Sequence, residues 1–321
     1  MRARCLVLSV AISIVGLASM ASISSATFSG TNGRVAFASD AARDRDIWTI
    51  NPDGSGAANV TDAVGAPGWD REPDYSPNGT KIAFRSGQTD AAEIYTMNAD
   101  GTGGLTQLTS NAFKDWAPAW SPDGSKIAFG SNRNDPNFAT CVGLFQGCND
   151  DIFVIPATGG APVQVTFDSG QDEFPQFSAD GTHIAYSTDL GGASAIYTVA
   201  LATLTTTKLT TDSLRAGEPD YSPDGTKIAF ENNFYACKTN NSDCKSDVFV
   251  MNADGGGVTR LTRKFGTNYS PNWSPEGDKL VFTHANLGGR EQIYEMNPDG
   301  TGITRITHTS GASSDPDWGS G

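Results

Sequence analysis

The sequence predicts an all-β fold: a six-bladed β-propeller of four-stranded antiparallel blades, closed by pairing of its N- and C-terminal strands. Three observations predict it. One phrase recurs along the 321 residues, as "EPDYSPNGTKIAF" from Glu72, "APAWSPDGSKIAF" from Ala117, "FPQFSADGTHIAY" from Phe174, "EPDYSPDGTKIAF" from Glu218 and "SPNWSPEGDKLVF" from Ser270. Each copy is followed by a second phrase such as "EIYTMNADG" and by a third ending in Leu-Thr or a close relative, with a period of about 45 to 55 residues. The two ends of the chain are truncated in complementary ways.

The elements follow from their residues. "PDYSP" and "KIAF" are short, aromatic and β-branched, and Ser-Pro-Asp-Gly joins them. There Pro presets φ and Gly accepts the left-handed conformation, so the pair reads as a hairpin of strands a and b. "DIFVM" alternates through large apolar residues as strand c, and Ala-Asp-Gly or Pro-Asp-Gly turns it back into the Leu-Thr strand d. One such sheet has two apolar faces to cover, and packing copies face to face around an axis covers both. At the N-terminal end "NGRVAF" (Asn32 to Phe37), "DIWTINPDG" (Asp46 to Gly54) and "ANVT" supply strands b, c and d with no strand a before them. "DPDWGSG" from Asp315 resembles strand a with nothing after it. The expectation is a sixth blade clasped by Asp315 to Trp318 beside Val35 to Phe37. Blade 4, with "ALATLTTTKLT", is expected to have an altered c to d connection.

Residues 1–26 read as a secretory signal. Arg2 and Arg4 precede an apolar run from Cys5 to Leu17, and small residues follow, with cleavage after Ala21 or Ala26. The other reading is an uncleaved anchor. No later stretch approaches the roughly 20 apolar residues of a membrane span. Residues 27–321 are assigned to the propeller, exported to the periplasm or the extracellular space. Loss of both arginines takes the formal charge from −14 to −16. That argues against nucleic acid and anionic lipid as partners, because phosphate binding needs clustered Lys and Arg. Four cysteines remain, Cys141 with Cys148 and Cys237 with Cys244, the same spacing twice in two polar insertions. Two local disulfides in the b to c loops of blades 3 and 5 are the economical reading, each restraining its loop by about 2 to 3 kcal/mol.

The repeats resemble those of the TolB family, whose blades carry a pattern like P-x-W-S-P-D-G-x-K-I-A-F followed by D-I-Y-x-M-N-x-D-G and Leu-Thr. The resemblance covers nearly the whole mature chain and implies the propeller fold. TolB itself carries an α/β domain before its propeller, whereas about ten residues separate signal and first strand here, so the resemblance of the repeats does not by itself imply the Tol-Pal role of TolB. Prolyl oligopeptidases place such repeats before a G-x-S-x-G nucleophile elbow, which this sequence lacks. The S-x-D-x-G-x-T-W box of sialidases is absent too. TolB-like oligogalacturonate lyases use a histidine cluster, but His183, His284 and His308 fall at three different phases of the repeat and read as ordinary surface residues.

Asp46, Glu93, Asp151 and Asp247 open strand c in four blades and are read as architectural acceptors of backbone N–H groups. Trp120, Trp273, Trp318, Tyr75 and Tyr221 recur in phase beside the turn and are read as packing between blades. Strand a lines the channel of a propeller, so the residues at its start are expected around one channel mouth: Asp70, Arg71, Glu72, Asp115, Trp116, Asp172, Glu173, Glu218, Asn268, Tyr269 and Asp315. Seven carboxylates against one arginine suggest a Ca²⁺ ion or a basic peptide segment, with Trp116, Tyr269 and Arg71 as the non-acidic contacts. No cofactor is required by this reading. Two functions follow: a monomeric, non-catalytic scaffold for a protein, peptide or cell-envelope ligand, or a polymer-acting hydrolase or lyase with a divalent cation in the channel.

Overall fold

A computed structural model of the chain describes residues 30–42, 44–87, 92–135, 149–232, 246–263, 265–286 and 289–321. The expected signal region and the four insertion cysteines lie outside them. Blade 1 holds β1 (Asn32–Ser39), β2 (Asp46–Ile50) and β3 (Ala58–Asn59). Blade 2 holds β4 (Arg71–Tyr75), β5 (Lys81–Ser86), β6 (Glu93–Asn98) and β7 (Thr106–Gln107), and blade 3 holds β8 (Asp115–Trp120), β9 (Lys126–Ser131), β10 (Asp151–Pro156) and β11 (Val163–Gln164). Blade 4 follows as β12 (Glu173–Phe177), β13 (His183–Thr188), β14 (Ala195–Ala200) and β15 (Thr205–Lys208). Blade 5 has β16 (Ala216–Tyr221), β17 (Lys227–Asn232), β18 (Asp247–Asn252) and β19 (Thr259–Arg260), and blade 6 has β20 (Thr267–Trp273), β21 (Leu280–Ala285), β22 (Gln292–Met296) and β23 (Thr304–Arg305). The last strand, β24 (Ser313–Ser320), pairs with β1 and completes blade 1, with Val35 opposite Trp318 and Ala36 opposite Asp317. The expected clasp is therefore present. In blade 4 strand d pairs over four residues where other blades pair over two, and Leu204 turns at φ +55° before it.

The core is divided among the seams between blades. Trp120 packs on Ala83, Ile94 and Leu108 of the preceding blade, Trp273 on Ala229, Val248 and Leu261, and Trp318 on Val281, Ile293 and Ile306. Tyr75, Phe177 and Tyr221 do the same at the other three seams. A large aromatic at one fixed phase of each repeat thus covers its neighbour's apolar face, as the pattern predicts.

Polar groups lock strand d to strand c within each blade. The threonine of each Leu-Thr phrase is buried, and its Oγ1 accepts the second backbone N–H of strand c in all six blades: Ile47 to Thr61, Ile94 to Thr109, Ile152 to Thr166, Ile196 to Thr210, Val248 to Thr262 and Ile293 to Thr307, at 2.8–3.0 Å. Because strand d pairs over so few residues, this bond replaces a missing rung of the ladder. The acids that open strand c join in. Glu93 accepts the Asn111 N–H at 2.6 Å, and Asp247 accepts the Thr262 hydroxyl at 2.8 Å.

One face of the ring, the floor, is made of the a to b turns. In blade 2 the Ser76 Oγ accepts the Lys81 N–H and donates to Asn78, while Gly79 takes φ +67°. Where Glu276 replaces the aspartate in blade 6, the Ser274 hydroxyl turns to Asp278 at 3.0 Å. The turns stack around the ring: a Cβ on Gly124 would meet Pro77, one on Gly181 would meet Pro122, and one on Gly277 would meet Pro223. The opposite face carries the d to a and b to c connections, and the channel mouth opens there.

Candidate functional site: the channel and its mouth

Every strand a is kinked at one place. Glu72, Ala117, Phe174, Glu218, Ser270 and Asp315 all have positive φ, between +48° and +55°, and each is followed by proline. A non-glycine residue in this region costs about 1 kcal/mol or more, and a following proline also narrows its choices. Six copies in phase mean that the ring enforces the kink. Strand pairing slips there in every blade. The kink turns the positive-φ residue and the residue two further on into the channel, with proline between them.

The channel therefore has two levels. Glu72, Glu218 and Asp315 are the acids of the upper level, above a cavity of about 100 Å³. The lower level holds Asp74, Gln176, Asp220, Asn272 and Asp317, and a smaller cavity of about 50 Å³ continues beneath it toward the floor. Lower-level side chains reach across the seams to the aromatic residue of the next blade. Asp74 accepts the Trp120 N–H, Asp220 that of Trp273 and Asp317 that of Tyr75, each at 2.6 Å, and Asn272 accepts that of Trp318 at 3.0 Å. Burial drives the Asp74 and Asp220 carboxyls well above the usual range, with Asp317 adding repulsion at each. Burial lifts Asp317 itself to about 7.

The same kink corrects the expected mouth. Asp70, Asp115 and Asp172 stand before it and are fully buried at the seams, not on the channel wall. Asp115 is held by Arg133 at 2.8 Å and by Asn111 at 2.8 Å. Asp70 and Asp172 lie by threonines of the Leu-Thr phrases, and burial raises them to about 6 and about 8. Asn268 is buried as well and bonds His284 Nδ1 at 2.8 Å. Trp116 is 3% exposed, with the Lys114 ammonium 4.5 Å above its ring, so it offers a ligand no open face. His284 is a second correction. It is buried and stacked on Phe265 at 4.0 Å, while His183 and His308 are exposed as expected.

Arg71, Glu72, Glu173, Glu218, Tyr269 and Asp315 remain at the mouth, all half-buried. They are joined by groups from strand b and the loops that counting along strand a did not find. Arg85 stands opposite Arg71 in the pairing of β4 with β5, and its Nε is 3.4 Å from Glu72. Arg45 pairs with Glu291 at 3.5 Å and also reaches Ser314. Lys114 lies within electrostatic reach of Arg85, Glu72, Asp150 and Glu173. On the far side Glu218 packs by Glu231. Burial and then Glu231 drive the Glu218 carboxyl well up, and burial lifts Glu231 to about 7. Burial, then Asp150, lifts Glu173 to about 7. The mouth thus carries Arg45, Arg71, Arg85 and Lys114 on blades 1 to 3, interleaved with Asp315, Glu72 and Asp150, and the Glu173, Glu218 and Glu231 carboxyls on blades 4 and 5.

Comparison with known proteins agrees with this geometry. The family model of the TolB beta propeller domain matches residues 13–137 and 216–321, well over half of the chain. An uncharacterized protein of Agrobacterium fabrum is 26% identical over 135 residues, which are 41% of this chain and 46% of that protein, so the match spans about half of the relative. TolB from Acinetobacter baumannii superposes with a TM-score of 0.72 at 24% identity, covering 91% of this chain and 67% of that one. A putative TolB from Agrobacterium tumefaciens gives 0.64 at 18% identity, covering 89% and 98%. An oligogalacturonate lyase from Vibrio parahaemolyticus gives 0.55 at 12%, covering 88% and 78%, a likeness of fold alone. With six repeats of one pattern, a ring closed by its own ends and a family match over most of its length, the chain belongs to the TolB beta-propeller domain family.

Proposed function

We propose that this protein is an exported, non-catalytic scaffold that binds a protein, peptide or cell-envelope ligand at the channel mouth. The observation that carries the reading is the mouth itself. It gathers charged side chains that the protein does not fully pair, among them Glu218, whose Oε2 is buried without a hydrogen-bond partner, above a channel of about 100 Å³. Such a volume holds a few water molecules, so a ligand rests on the mouth and does not thread the ring. The arginine-led apolar run at the N-terminus supports export, as does likeness to TolB. No helix among the described residues is long and apolar enough to cross a membrane. Ca²⁺ enters the proposal as a counter-charge and not as a catalyst, since among the described residues no three His, Cys, Asp or Glu side chains come together as a metal site.

The test is capture from the native cell envelope by the parent protein and by Ser270→Trp, which fills the upper level from a half-buried position on the channel wall. Loss of the captured component with Ser270→Trp is the expected result. A component held equally by both proteins binds elsewhere and overturns the reading. Repeating the capture with a chelator shows whether Ca²⁺ takes part.

A further inference from the structure

Arg71 is unlike its cationic neighbours. Arg45 has Glu291 and Arg85 has Glu72, but the Arg71 guanidinium makes no hydrogen bond or ion pair with another described residue. It is half-buried, and Arg45 and Arg85 flank it closely enough that their repulsion adds to burial in lowering its proton affinity. Asp315 and Glu72 are near enough to offset part of this without forming a contact pair. The neighbours are also incompletely used. Arg45 Nε and Arg85 Nε are buried without an aligned acceptor, since the Arg85 to Glu72 approach is close but off-line. Four cations share this rim with Glu291, Glu72, Asp315 and Asp150, and of the three arginines Arg71 is the one without a contact pair among the described residues. Arginine is the side chain whose planar fork matches two coplanar oxygens, and a desolvated fork gains most from such a partner.

We infer that Arg71, between Arg45 and Arg85, is the seat for a carboxylate of the bound ligand, an acidic side chain or a chain terminus of a peptide. This rests on the mouth being the binding surface and names the chemistry recognised there. It reverses the polarity expected from strand a alone, which led to a cation or a basic segment. The oxyanion lies on blades 1 and 2, and the Glu218 and Glu231 carboxyls opposite it face the ligand's cationic or hydrogen-bond-donating end. A peptide carrying both charges would set its carboxylate on Arg71 and its cationic end toward blades 4 and 5.

The test uses the purified protein at low ionic strength, with hexaglutamate, hexalysine and inorganic phosphate as probes in calorimetry. Hexaglutamate is expected to bind despite the protein's net negative charge. Arg71→Gln should weaken it by about tenfold or more, Arg71→Lys by less, and Lys126→Gln, which removes a cation from the floor, not at all. Displacement of hexaglutamate by phosphate further supports a single oxyanion seat. Equal binding by the parent and Arg71→Gln overturns the proposal, as does failure of hexaglutamate to bind the parent. Binding of phosphate without hexaglutamate overturns the carboxylate assignment. If hexalysine alone binds, and Ser270→Trp abolishes it, the carboxylate seat falls while the mouth remains the binding surface.

Discussion

Gly79 and Gly65 hold nearly the same backbone, φ +67° and +68°, on opposite faces of the ring. Their surroundings differ. A Cβ on Gly79 would lie 2.1 Å from the Ser320 carbonyl oxygen, whereas one on Gly65 would meet nothing within 4 Å. Gly79 belongs to the floor, where each turn rests on the next and the repeat is copied closely. Gly65 belongs to the mouth face, in a connection that stands clear of its neighbours. Backbone contact confines the turn at Gly79 and leaves the one at Gly65 free.

The comparison can be broken first at the strand that serves both faces. Deleting residues 312–321 removes β24, its Trp318 anchor and the Asp317 bond to Tyr75, and leaves β1 as an open edge. A fall in melting temperature of more than about 10 °C, or failure to fold, is expected. A truncated protein that melts like the parent means the ring does not depend on the clasp.

The two glycines give the next test. Gly79→Ala should cost about 2 to 4 kcal/mol in urea unfolding, and Gly65→Ala about 1, since both carry the left-handed penalty and only the first meets backbone. Equal costs would show that floor stacking contributes nothing.

Titration probes the channel and seams. Asp150, Glu173, Glu231 and Asp317 are lifted to about 7 and Asp172 to about 8, in each case chiefly by burial. The folded protein therefore holds these protons more tightly than the unfolded chain, whose carboxyls titrate near 4. Their contribution is fully present below about pH 4 and is lost as pH rises through 7 to 8. His284, lowered by burial, acts in the opposite sense, but only below about pH 6.5. Stability should thus be lower at pH 8.5 than at pH 6.5 by about 5 kcal/mol, roughly 1 from each of the five groups. Glu231→Gln should recover about 1 kcal/mol of that loss. A stability that rises over this interval contradicts the assignment. The smallest effect belongs to Arg71→Gln, which breaks no contact pair and should change stability by less than about 0.5 kcal/mol while altering ligand binding.

Much of this was legible in the sequence, because what repeats is backbone. The turn residues, the aromatic at its fixed phase and the unequal ends suffice for six blades and their closure. The mouth was legible only in part. Counting by twos along strand a puts Asp70, Glu72 and Asp74 on one side, but the positive-φ kink before proline breaks the alternation, sending Asp70 into a seam. No residue type announces that kink, since Glu, Ala, Phe, Ser and Asp all occupy it. Arg45, Arg85 and Lys114 reach the mouth from other strands and loops, which only the ring's three-dimensional closure brings together. The Asp of Pro-Asp-aromatic at Asp74, Asp220 and Asp317 was a visible signal. Its recurrence in three blades marks the lower level.

The pairing of β24 with β1 sets Asn32 opposite Ser320 and Ser39 opposite Ser313, and the Gly321 N–H reaches the Thr31 carbonyl at 2.8 Å. Residues 32 and 320 thus lie side by side at the same end of one blade. A pull between them loads the hydrogen bonds one after another, as a zipper is opened, and never all at once in shear. Tension applied there should release the clasp at low force, whereas a short covalent link between residues 320 and 32 would turn the clasp into an ordinary hairpin turn.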